Sequence, residues 1–380
     1  MFTSTTTIRC SRCGMIPIEK LKAVKTIFVH DTCSDGLMSA LLLKDAYTAI
    51  GMRPEIRFLQ YLTDETKTLE PGPGMLFCDF SPHIRTVKDS SGAFQVDEAD
   101  RSLLQHWVDS GTIVLDHHKG AKAIVKAFGE NGVYGDEEKQ PGVSGATLAF
   151  SEVWCHLLEI SEHEISLPAS QNPFHQESCG NRVDIAYRLA HLAGIRDTWQ
   201  NKSSLWRDAL ILNEVLLFYP DADWLERNQL FSSPSRDFWA ERFKMGELLL
   251  TKHEKGIKKC IEKAWLFTTV KGTRVVVFEG VRSASDTAEV IDTDADLVIA
   301  FDYEVETFKD GTRSKKINFS TRSHTTFNCL DFAKANGGGG HMKAAGFAKN
   351  FDSNTPAPYS LNPYALAEAL VELHENSSNT

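Results

Sequence analysis

The sequence of 380 residues contains no run of 18 or more apolar residues, which excludes a membrane-spanning helix. It also lacks an excess of positive charge, because 41 Lys and Arg are outnumbered by 51 Asp and Glu and the formal net charge is −10. That balance argues against a protein that binds a long nucleic acid over its whole surface, so we expect neither a long duplex nor a membrane among its partners. A small phosphorylated substrate held by local cations and metal ions stays compatible with this charge.

Signals for export and for disulfide bonding are missing as well. The N-terminus has no apolar core of the kind that signal peptides carry, so we expect a cytoplasmic protein, while its Ser/Thr-rich start leaves an organelle open. The eight cysteines do not have the spacing of a disulfide framework and are expected to be reduced thiols. Cys10 and Cys13 form a CxxC pair without two further zinc ligands nearby, so we interpret the pair as part of a frayed terminus rather than a zinc site, and residues 1–24 as an N-terminal extension.

The first half of the chain alternates short apolar segments with helical patterns. Strands are predicted at 26–29, 55–59, 75–78 and 112–115, and helices from 35, over 100–108, from 144 through 158 and over 183–192. Such alternation predicts an α/β fold in which helices cover a parallel sheet. Because 380 residues are too many for one ordinary core, we expect a second domain beyond it.

Acidic and imidazole side chains follow three of these strands. The residues concerned are His30 and the nearby Asp35, then Asp79, then Asp116, His117 and His118. Each could be a helix cap or turn residue by itself, and the two adjacent histidines could simply lie at a surface turn. Because the carboxyl ends of parallel strands meet at one edge, three such strands favour a divalent metal site. Asp197, predicted just past the end of a helix, is a further candidate carboxylate.

A second, smaller α/β unit is predicted after a long amphipathic connecting helix at 236–264. Its strands are expected at 273–278, 297–301 and 317–320. Near its end Gly337–Gly340 are followed by His341, and we predict that this run opens a helix and holds a phosphate with its backbone N–H groups. A flexible linker is the alternative, but the run is short and follows a helical pattern at 330–335.

Six segments in this order resemble the DHH/DHHA1 phosphoesterase superfamily. They are His30–Gly36, Cys78–Ser81, Leu115–His118, Ser144–Ala146, Arg196–Trp199 and the run GGGGHMKAAG with Arg322-Ser323 just upstream. The resemblance covers about residues 25 to 350, and an oligoribonuclease-like member is the nearest type. It implies a catalytic domain over 25–235, a DHHA1 domain over 265–355 and a C-terminal tail over 356–380.

The resemblance also implies a two-metal phosphodiesterase, usually dependent on manganese. By this analogy Asp79 bridges the metal ions, His30 and Asp35 hold one of them, and His117 and Asp197 complete the other. Asp116 would orient an imidazole, and His118 would contact the substrate; both are assigned to catalysis. The implied substrate-binding residues of the second domain, across a cleft, are Arg322, Ser323, Gly338, Gly339, Gly340 and His341.

One position departs from many members of the superfamily, which carry two aspartates in the first motif. Here Cys33 occupies the earlier position, and Asp31 lies two residues before it. Manganese prefers oxygen ligands, so we interpret Cys33 as a packing residue. Whether Asp31 or Cys33 is a ligand stays open.

The substrate is expected to be a short oligonucleotide or a linear dinucleotide. No added nucleic-acid-binding domain is recognisable, and the chain is acidic. Alternatives are a 3′-phosphoadenosine-type phosphatase, an exopolyphosphatase, a cyclic-dinucleotide phosphodiesterase, or a nucleotide-binding module that has lost catalysis. The sequence leaves open whether the protein is a homodimer.

Overall fold

The structure is a computed structural model that describes residues 4–9, 16–61, 63–89, 93–160, 162–167, 181–232, 235–280, 284–291, 295–307, 313–323, 325–340, 342–351 and 362–377. The strands are β1 (Ser4–Arg9), β2 (Thr26–His30), β3 (Glu55–Leu59), β4 (Met75–Cys78), β5 (Thr86–Lys88), β6 (Phe94–Val96), β7 (Ile113–Asp116), β8 (Gly132–Tyr134), β9 (Glu162–Leu167), β10 (Trp265–Thr268), β11 (Arg274–Glu279), β12 (Leu297–Thr307), β13 (Arg313–Arg322), β14 (Gly339–Gly340) and β15 (Ala344–Phe351). The helices are α1 (Ile18–Leu21), α2 (Ser34–Ala49), α3 (Asp64–Lys67), α4 (Arg101–Asp109), α5 (Lys122–Ala127), α6 (Gly145–Leu148), α7 (Cys155–Leu157), α8 (Arg182–Asp197), α9 (Trp206–Phe218), α10 (Asp221–Glu226), α11 (Ser235–Glu262), α12 (Ala284–Val290), α13 (Cys329–Ala335) and α14 (Pro363–Ser377). Short 3₁₀ helices span Glu98–Asp100, Lys119–Ala121 and Gly129–Asn131, and a π-helix over Ala149–Trp154 joins α6 to α7. None of the helices in these ranges combines the length and the apolarity that crossing a membrane requires.

The chain divides into two compact units, residues 1–250 and 251–380. The first contains a five-stranded sheet in the order β3-β2-β4-β7-β8, with every neighbouring pair parallel. Successive strand residues alternate between two apolar layers. Ile27 and Val29 of β2 pack in the layer that contains α2, while Phe28 packs with Trp107 of α4 in the other layer. The predicted helix-covered parallel sheet is confirmed.

The second unit contains a six-stranded mixed sheet in the order β10-β11-β12-β13-β15-β14. β11 and β12 are parallel, and the remaining neighbours are antiparallel. One face packs against Phe332 of α13 and Val371 of α14, and the other against Ala288 of α12. The predicted second α/β unit is therefore confirmed, while the finer limits of the catalytic domain, the DHHA1 domain and the tail stay predictions.

The glycine run differs from its prediction, because it does not open a helix. Helix α13 ends before it, at an Asn336 cap followed by Gly337 with φ +85°. Gly339 and Gly340 then form β14, which pairs with β15. A Cβ on Gly338 would lie 2.1 Å from the carbonyl oxygen of Gly346, so the glycines allow two backbone segments to approach closely.

The predicted position of Asp197 is corrected. Asp197 does not lie past a helix end, because α8 continues through it as its last residue. Within the predicted N-terminal extension, β1 pairs antiparallel with β9, and α1 follows. Cys10 and Cys13 lie outside the described residues.

Candidate metal centre

The carboxyl ends of the neighbouring strands β2, β4 and β7 bring the predicted metal-binding side chains together. Among the described residues, three overlapping groups could each hold a metal ion, and within each group one ligand atom per residue lies within 4.8 Å of the others. The groups are His30, Cys33 and Asp79; Asp79, His117 and His118; and Asp35, His117 and Asp197. Thus all five predicted ligands belong to these overlapping groups, although Asp35 is grouped with His117 and Asp197 rather than with His30.

Asp79 lies at the centre of this pocket, directly after β4. Its carboxylate is buried, with Oδ1 3.2 Å from His117 Nε2 and Oδ2 3.9 Å from His30 Nδ1. Its backbone has φ +58°, an uncommon conformation for a residue other than glycine, and its N–H donates to the carbonyl of Leu115. Burial and the nearby carboxylate of Asp35 raise the pKa of Asp79 well above its usual range. A cation bound beside Asp79 would offset the free-energy cost of keeping its buried carboxylate ionised.

Asp35 in the first turn of α2 is fully buried and has one oxygen without a hydrogen-bond partner. Its Oδ1 accepts from the Ser144 hydroxyl at 2.7 Å and from the Ala146 N–H at 3.1 Å. Its Oδ2 is the unpartnered oxygen. Because burying such an atom is costly, Oδ2 fits a metal ligand better than a structural group.

His117 links Asp79 to Asp197. Its Nε2 lies 3.2 Å from an oxygen of each carboxylate, and its Nδ1 lies 3.2 Å from Oε1 of Glu137. Burial lowers the pKa of His117, but its hydrogen bonds with Asp79 and Glu137 outweigh that effect and raise it to about 12. Burial and the charge of Asp35 raise the pKa of Asp197 to about 6. The ring thus turns Nε2 toward the carboxylates and Nδ1 toward Glu137.

The second histidine of the pair, His118, has a different partner. Asp116 at the end of β7 is fully buried, and its Oδ1 lies 2.7 Å from His118 Nδ1 and accepts from the His118 backbone N–H at 3.0 Å. Its Oδ2 accepts from the Ser81 hydroxyl. Burial lowers the pKa of His118, but the charge of Asp116 outweighs that effect and raises it to about 9.

On the other side of Asp79, His30 contacts Gln60, and burial lowers the pKa of its imidazole. A neutral imidazole is the form that binds a metal ion. Cys33 caps α2, since its Sγ accepts from the Gly36 N–H at 3.2 Å, and burial raises its thiol pKa. Asp31 accepts from the Thr32 N–H at 2.7 Å and belongs to none of the metal-capable groups of the described residues.

The segment Ser144-Gly145-Ala146 forms the wall behind the two buried aspartates. A Cβ on Gly145 would lie 2.2 Å from Asp79 Cβ and 2.9 Å from Asp35 Oδ2. Real Cβ contacts are longer than this, so only glycine fits. This segment is one of the six that resemble the superfamily, and the close contacts of Gly145 explain why the position requires a glycine.

Three residues near the site escaped the sequence analysis. Glu137 follows β8, a strand that was not predicted, while Gln60 and Tyr61 follow β3, which was. The Tyr61 ring lies 4.3 Å from that of Phe80 and 5.1 Å from that of His30, measured between centroids. Gln60 and Tyr61 directly follow β3, which ends without an acidic residue. They could have been found by taking the first residues after every predicted strand as candidates.

In the second unit, Arg322 and the glycine run flank the start of β15. Arg322 pairs with Ala344, and Gly340 pairs with Ala345. The guanidinium donates to the Ser285 and Ser320 hydroxyls, each at 2.9 Å, and to the Thr321 carbonyl at 2.8 Å. Burial lowers its pKa, and none of the carboxylates in the described ranges forms an ion pair with it. Ser323 is buried beside Arg322, and His341 lies outside the described residues.

We expect the Glu137→Ala variant to bind Mn²⁺ about 10- to 100-fold more weakly, because Glu137 holds Nδ1 of His117 and so orients Nε2. Isothermal titration of the purified chain with MnCl₂ measures this. The Glu137→Gln variant should recover part of the loss, since its amide oxygen can still accept from Nδ1. The matched control is Glu138→Ala, which removes an exposed carboxylate paired at 3.6 Å with Lys119. Equal Mn²⁺ affinities for Glu137→Ala and Glu138→Ala would contradict the orienting role.

No protein-family model and no curated protein matches this chain. Solved structures do match its fold. One is described as a DHH-domain member of the S1p family of ribosomal proteins, with 13% identity, coverage of 93% of this chain and 87% of that chain, and a TM-score of 0.51. Another is exonuclease RecJ bound to manganese, with 16% identity, coverage of 96% of each chain and a TM-score of 0.50. At these identities the likeness shows the fold, as the sequence motifs predicted.

Proposed function

We propose that this chain, which has the fold of the DHH/DHHA1 superfamily, is a metal-dependent phosphodiesterase that hydrolyses short oligonucleotides or linear dinucleotides to mononucleotides. The observation that carries the proposal is the buried, unpartnered Oδ2 of Asp35 beside His117 and Asp197. A set of carboxylates and imidazoles suits Mn²⁺ or Mg²⁺, and we propose two divalent ions, with Mn²⁺ as the first choice.

Asp79 is the proposed bridging ligand, because one of its carboxylate oxygens lies 3.2 Å from His117 Nε2 and the other lies 3.9 Å from His30 Nδ1. His30 would complete the site on one side of it. Asp35, His117 and Asp197 would hold the second ion on the other side. When bound, the pair of ions would activate water and stabilise the negative charge of the transition state.

His118 is proposed to contact the phosphate under attack. The Asp116 carboxylate, 2.7 Å from Nδ1, favours the protonated form of its imidazole. A hydrogen bond from a charged imidazole to a phosphodiester oxygen would become stronger as negative charge develops on that oxygen in the transition state. Asp116 would act through His118 as a positioning residue, with Ser81 fixing its other oxygen.

Arg322 is proposed to hold a terminal phosphate or nucleotide, together with Ser323, Gly338–Gly340 and His341. The support is that the Arg322 guanidinium is surrounded by hydroxyls and a carbonyl, without a carboxylate paired to it in the described ranges. An arginine that is partly buried without such a partner favours an anionic ligand.

The experiment that tests the proposal is a substrate panel with the purified chain in MnCl₂ and in MgCl₂. The panel contains a linear dinucleotide, a longer RNA, single-stranded DNA, a cyclic dinucleotide and polyphosphate. We expect the dinucleotide to give mononucleotides at least about tenfold faster than the other substrates, a difference of about 1.4 kcal/mol in the activation barrier. Chelation with EDTA should abolish the reaction, and the Asp79→Ala variant purified in parallel controls for contaminating nucleases.

Other outcomes would select the alternatives. Faster phosphate release from polyphosphate would favour an exopolyphosphatase, and faster opening of the cyclic dinucleotide would favour a cyclic-dinucleotide phosphodiesterase. Absence of turnover on the whole panel, with nucleotide binding retained, would replace the enzyme by a nucleotide-binding module. Each of these results contradicts the proposed reaction.

A further inference from the structure

Tyr61 is a partly exposed aromatic residue beside the metal centre, and it has no part in the proposed reaction so far. It lies two residues beyond the end of β3, whose last residue, Leu59, is paired with His30 of β2. Tyr61 therefore reaches the same edge of the sheet as the metal-binding side chains. It is 38% exposed, whereas Phe80, the residue directly after Asp79, is fully buried. The sheet thus presents an aromatic side chain to solvent next to the metal centre.

Neighbouring rings hold the Tyr61 side chain in place. Its ring centroid lies 4.3 Å from that of Phe80, 5.1 Å from that of His30 and 6.0 Å from that of His118. Phe80 is held in turn, since its ring is stacked on that of Phe77 with 6.2 Å between the centroids. A side chain that is already held in position loses little conformational freedom when a ligand contacts it, and this favours binding.

The backbone of Tyr61 is held through Gln60. The Tyr61 N–H donates to Gln60 Oε1 at 3.1 Å, and the same oxygen lies 3.0 Å from His30 Nε2. Gln60 Nε2 donates to Thr32 Oγ1 at 2.9 Å and to the Asp31 carbonyl at 3.3 Å. Gln60 thereby connects Tyr61 to the segment that carries the proposed metal ligand His30, so the ring has a defined position relative to that ligand.

The surroundings of Tyr61 differ from those of other exposed aromatic side chains. Three such side chains in the described part of the chain have ring contacts with aromatic residues outside the metal centre; they are Phe218, Trp265 and Tyr303. Tyr61 instead contacts His30 and His118, and its hydroxyl forms no hydrogen bond within the described residues. An exposed ring in this position fits a ligand contact better than a role in packing alone.

We propose that the exposed surface of the Tyr61 ring stacks against the base of a nucleotide whose phosphate binds at the metal centre, so that Tyr61 selects base-bearing substrates over base-free phosphate chains. This selection rests on the proposed phosphodiesterase function and specifies its substrate class. The ring adjoins both the proposed metal ligand His30 and the proposed phosphate contact His118. One ribose separates a phosphate from its base, so a base can reach the neighbouring ring. Every base has an aromatic face, and stacking would therefore accept any of them.

The test compares AMP with ribose 5-phosphate, which has the same phosphate and sugar but no base. Each ligand is titrated by isothermal calorimetry into the full chain in saturating MnCl₂. We expect the parent to bind AMP about 10- to 100-fold more tightly than ribose 5-phosphate, the range that stacking of one base on an aromatic ring supplies. Tyr61→Leu should reduce this preference to less than about threefold and leave the affinity for ribose 5-phosphate unchanged.

Two variants serve as controls. Tyr61→Phe keeps the ring and should keep the parent's preference for AMP. Tyr303→Leu makes the Tyr-to-Leu change at a 51% exposed tyrosine of the second unit and should bind both ligands as the parent does. Tyr303 pairs with Ile317 of β13, five residues and about 17 Å along the strand from Arg322, the proposed phosphate-binding residue of that unit. Thermal melts and Mn²⁺ titrations should show that all three variants fold and bind the metal.

Initial rates on the linear dinucleotide provide a second measurement. Stacking that is equal in the ground state and the transition state affects KM alone, so Tyr61→Leu should raise KM about 10- to 100-fold and change kcat less than about twofold. A lower kcat with unchanged KM would contradict base stacking. The titrations require no turnover, so they test the role of Tyr61 even if the substrate panel refutes the phosphodiesterase activity.

Several results of the titrations would overturn the proposal. One is a parent that does not bind AMP or does not prefer it to ribose 5-phosphate, and another is a Tyr61→Leu variant that keeps the parent's preference. Equal losses of affinity for AMP and ribose 5-phosphate would mean that Tyr61 supports the metal centre instead. A loss of preference in Tyr61→Phe as large as in Tyr61→Leu would assign the effect to the hydroxyl and exclude stacking.

Discussion

The Asp79→Ala variant should lose phosphodiester hydrolysis by about 10³-fold or more while it stays folded, because a bound metal ion contributes several kcal/mol to stabilising the transition state. Asp79 contacts His117 and approaches His30, so its loss would affect both proposed metal positions. The variant should also lose most of its Mn²⁺ affinity. Initial rates on the dinucleotide and titration with MnCl₂ measure the two effects.

The same variant should not destabilise the metal-free protein. Burial and the carboxylates of Asp35 and Asp197 raise the pKa of Asp79, so above its ordinary pKa the ionised group destabilises the metal-free fold. Its removal should offset the strain of alanine at φ +58° and the contact that His117 loses, so the free energy of unfolding at neutral pH should stay within about 1 kcal/mol of the parent's. Added Mn²⁺ should raise the melting temperature of the parent and leave that of Asp79→Ala unchanged.

A control carboxylate lies at the same edge of the sheet. Asp136 is paired with Lys122 at 3.2 Å and belongs to none of the metal-capable groups, so Asp136→Ala should keep the parent's activity. Near-parent turnover by Asp79→Ala would remove the bridging role. A metal-free Asp79→Ala chain that unfolds at a clearly lower temperature would mean that Asp79 supports the fold instead.

The Gly145→Ala variant should lose both stability and activity, although it adds only one methyl group. The new Cβ would lie 2.2 Å from Asp79 Cβ and 2.8 Å from Asp79 Cγ. These atoms are buried at the base of a side chain, so the backbone of one segment must shift. Overpacking of this kind costs about 1 to 3 kcal/mol. A displacement of the carboxylate by about 1 Å could reduce turnover about 100-fold.

Thermal melts and initial rates of Gly145→Ala should be compared with those of Gly120→Ala. Gly120 follows the histidine pair closely in sequence, but a Cβ there would have no heavy atom within 4 Å, and its φ is not positive. The Gly120→Ala variant should therefore match the parent in stability. If Gly145→Ala also kept the parent's melting temperature and turnover, the tight contact with Asp79 would be refuted.

The sequence by itself determined the layered α/β architecture and the strand ends that carry the site. The pattern of apolar residues depends only on neighbouring positions in the chain. The sequence therefore predicted β3 and β4 at their observed bounds. His30, Asp79 and His117 follow from the rule that parallel strands present their carboxyl ends at one edge. Asp197 was a candidate carboxylate from the sequence, and the resemblance to the DHH/DHHA1 superfamily added its implied place among the metal ligands and pointed to the Ser144–Ala146 segment.

Only the tertiary structure decided which groups meet. It brought Glu137 to His117 and left Oδ2 of Asp35 without a partner, and neither is visible from spacing along the chain. It also placed Gly339 and Gly340 in a strand instead of a helix start, because their backbone groups hydrogen-bond with β15. That partner strand is not visible in the local sequence pattern. Periodicity records which face of an element is buried, whereas contacts between segments far apart in sequence depend on how the elements pack.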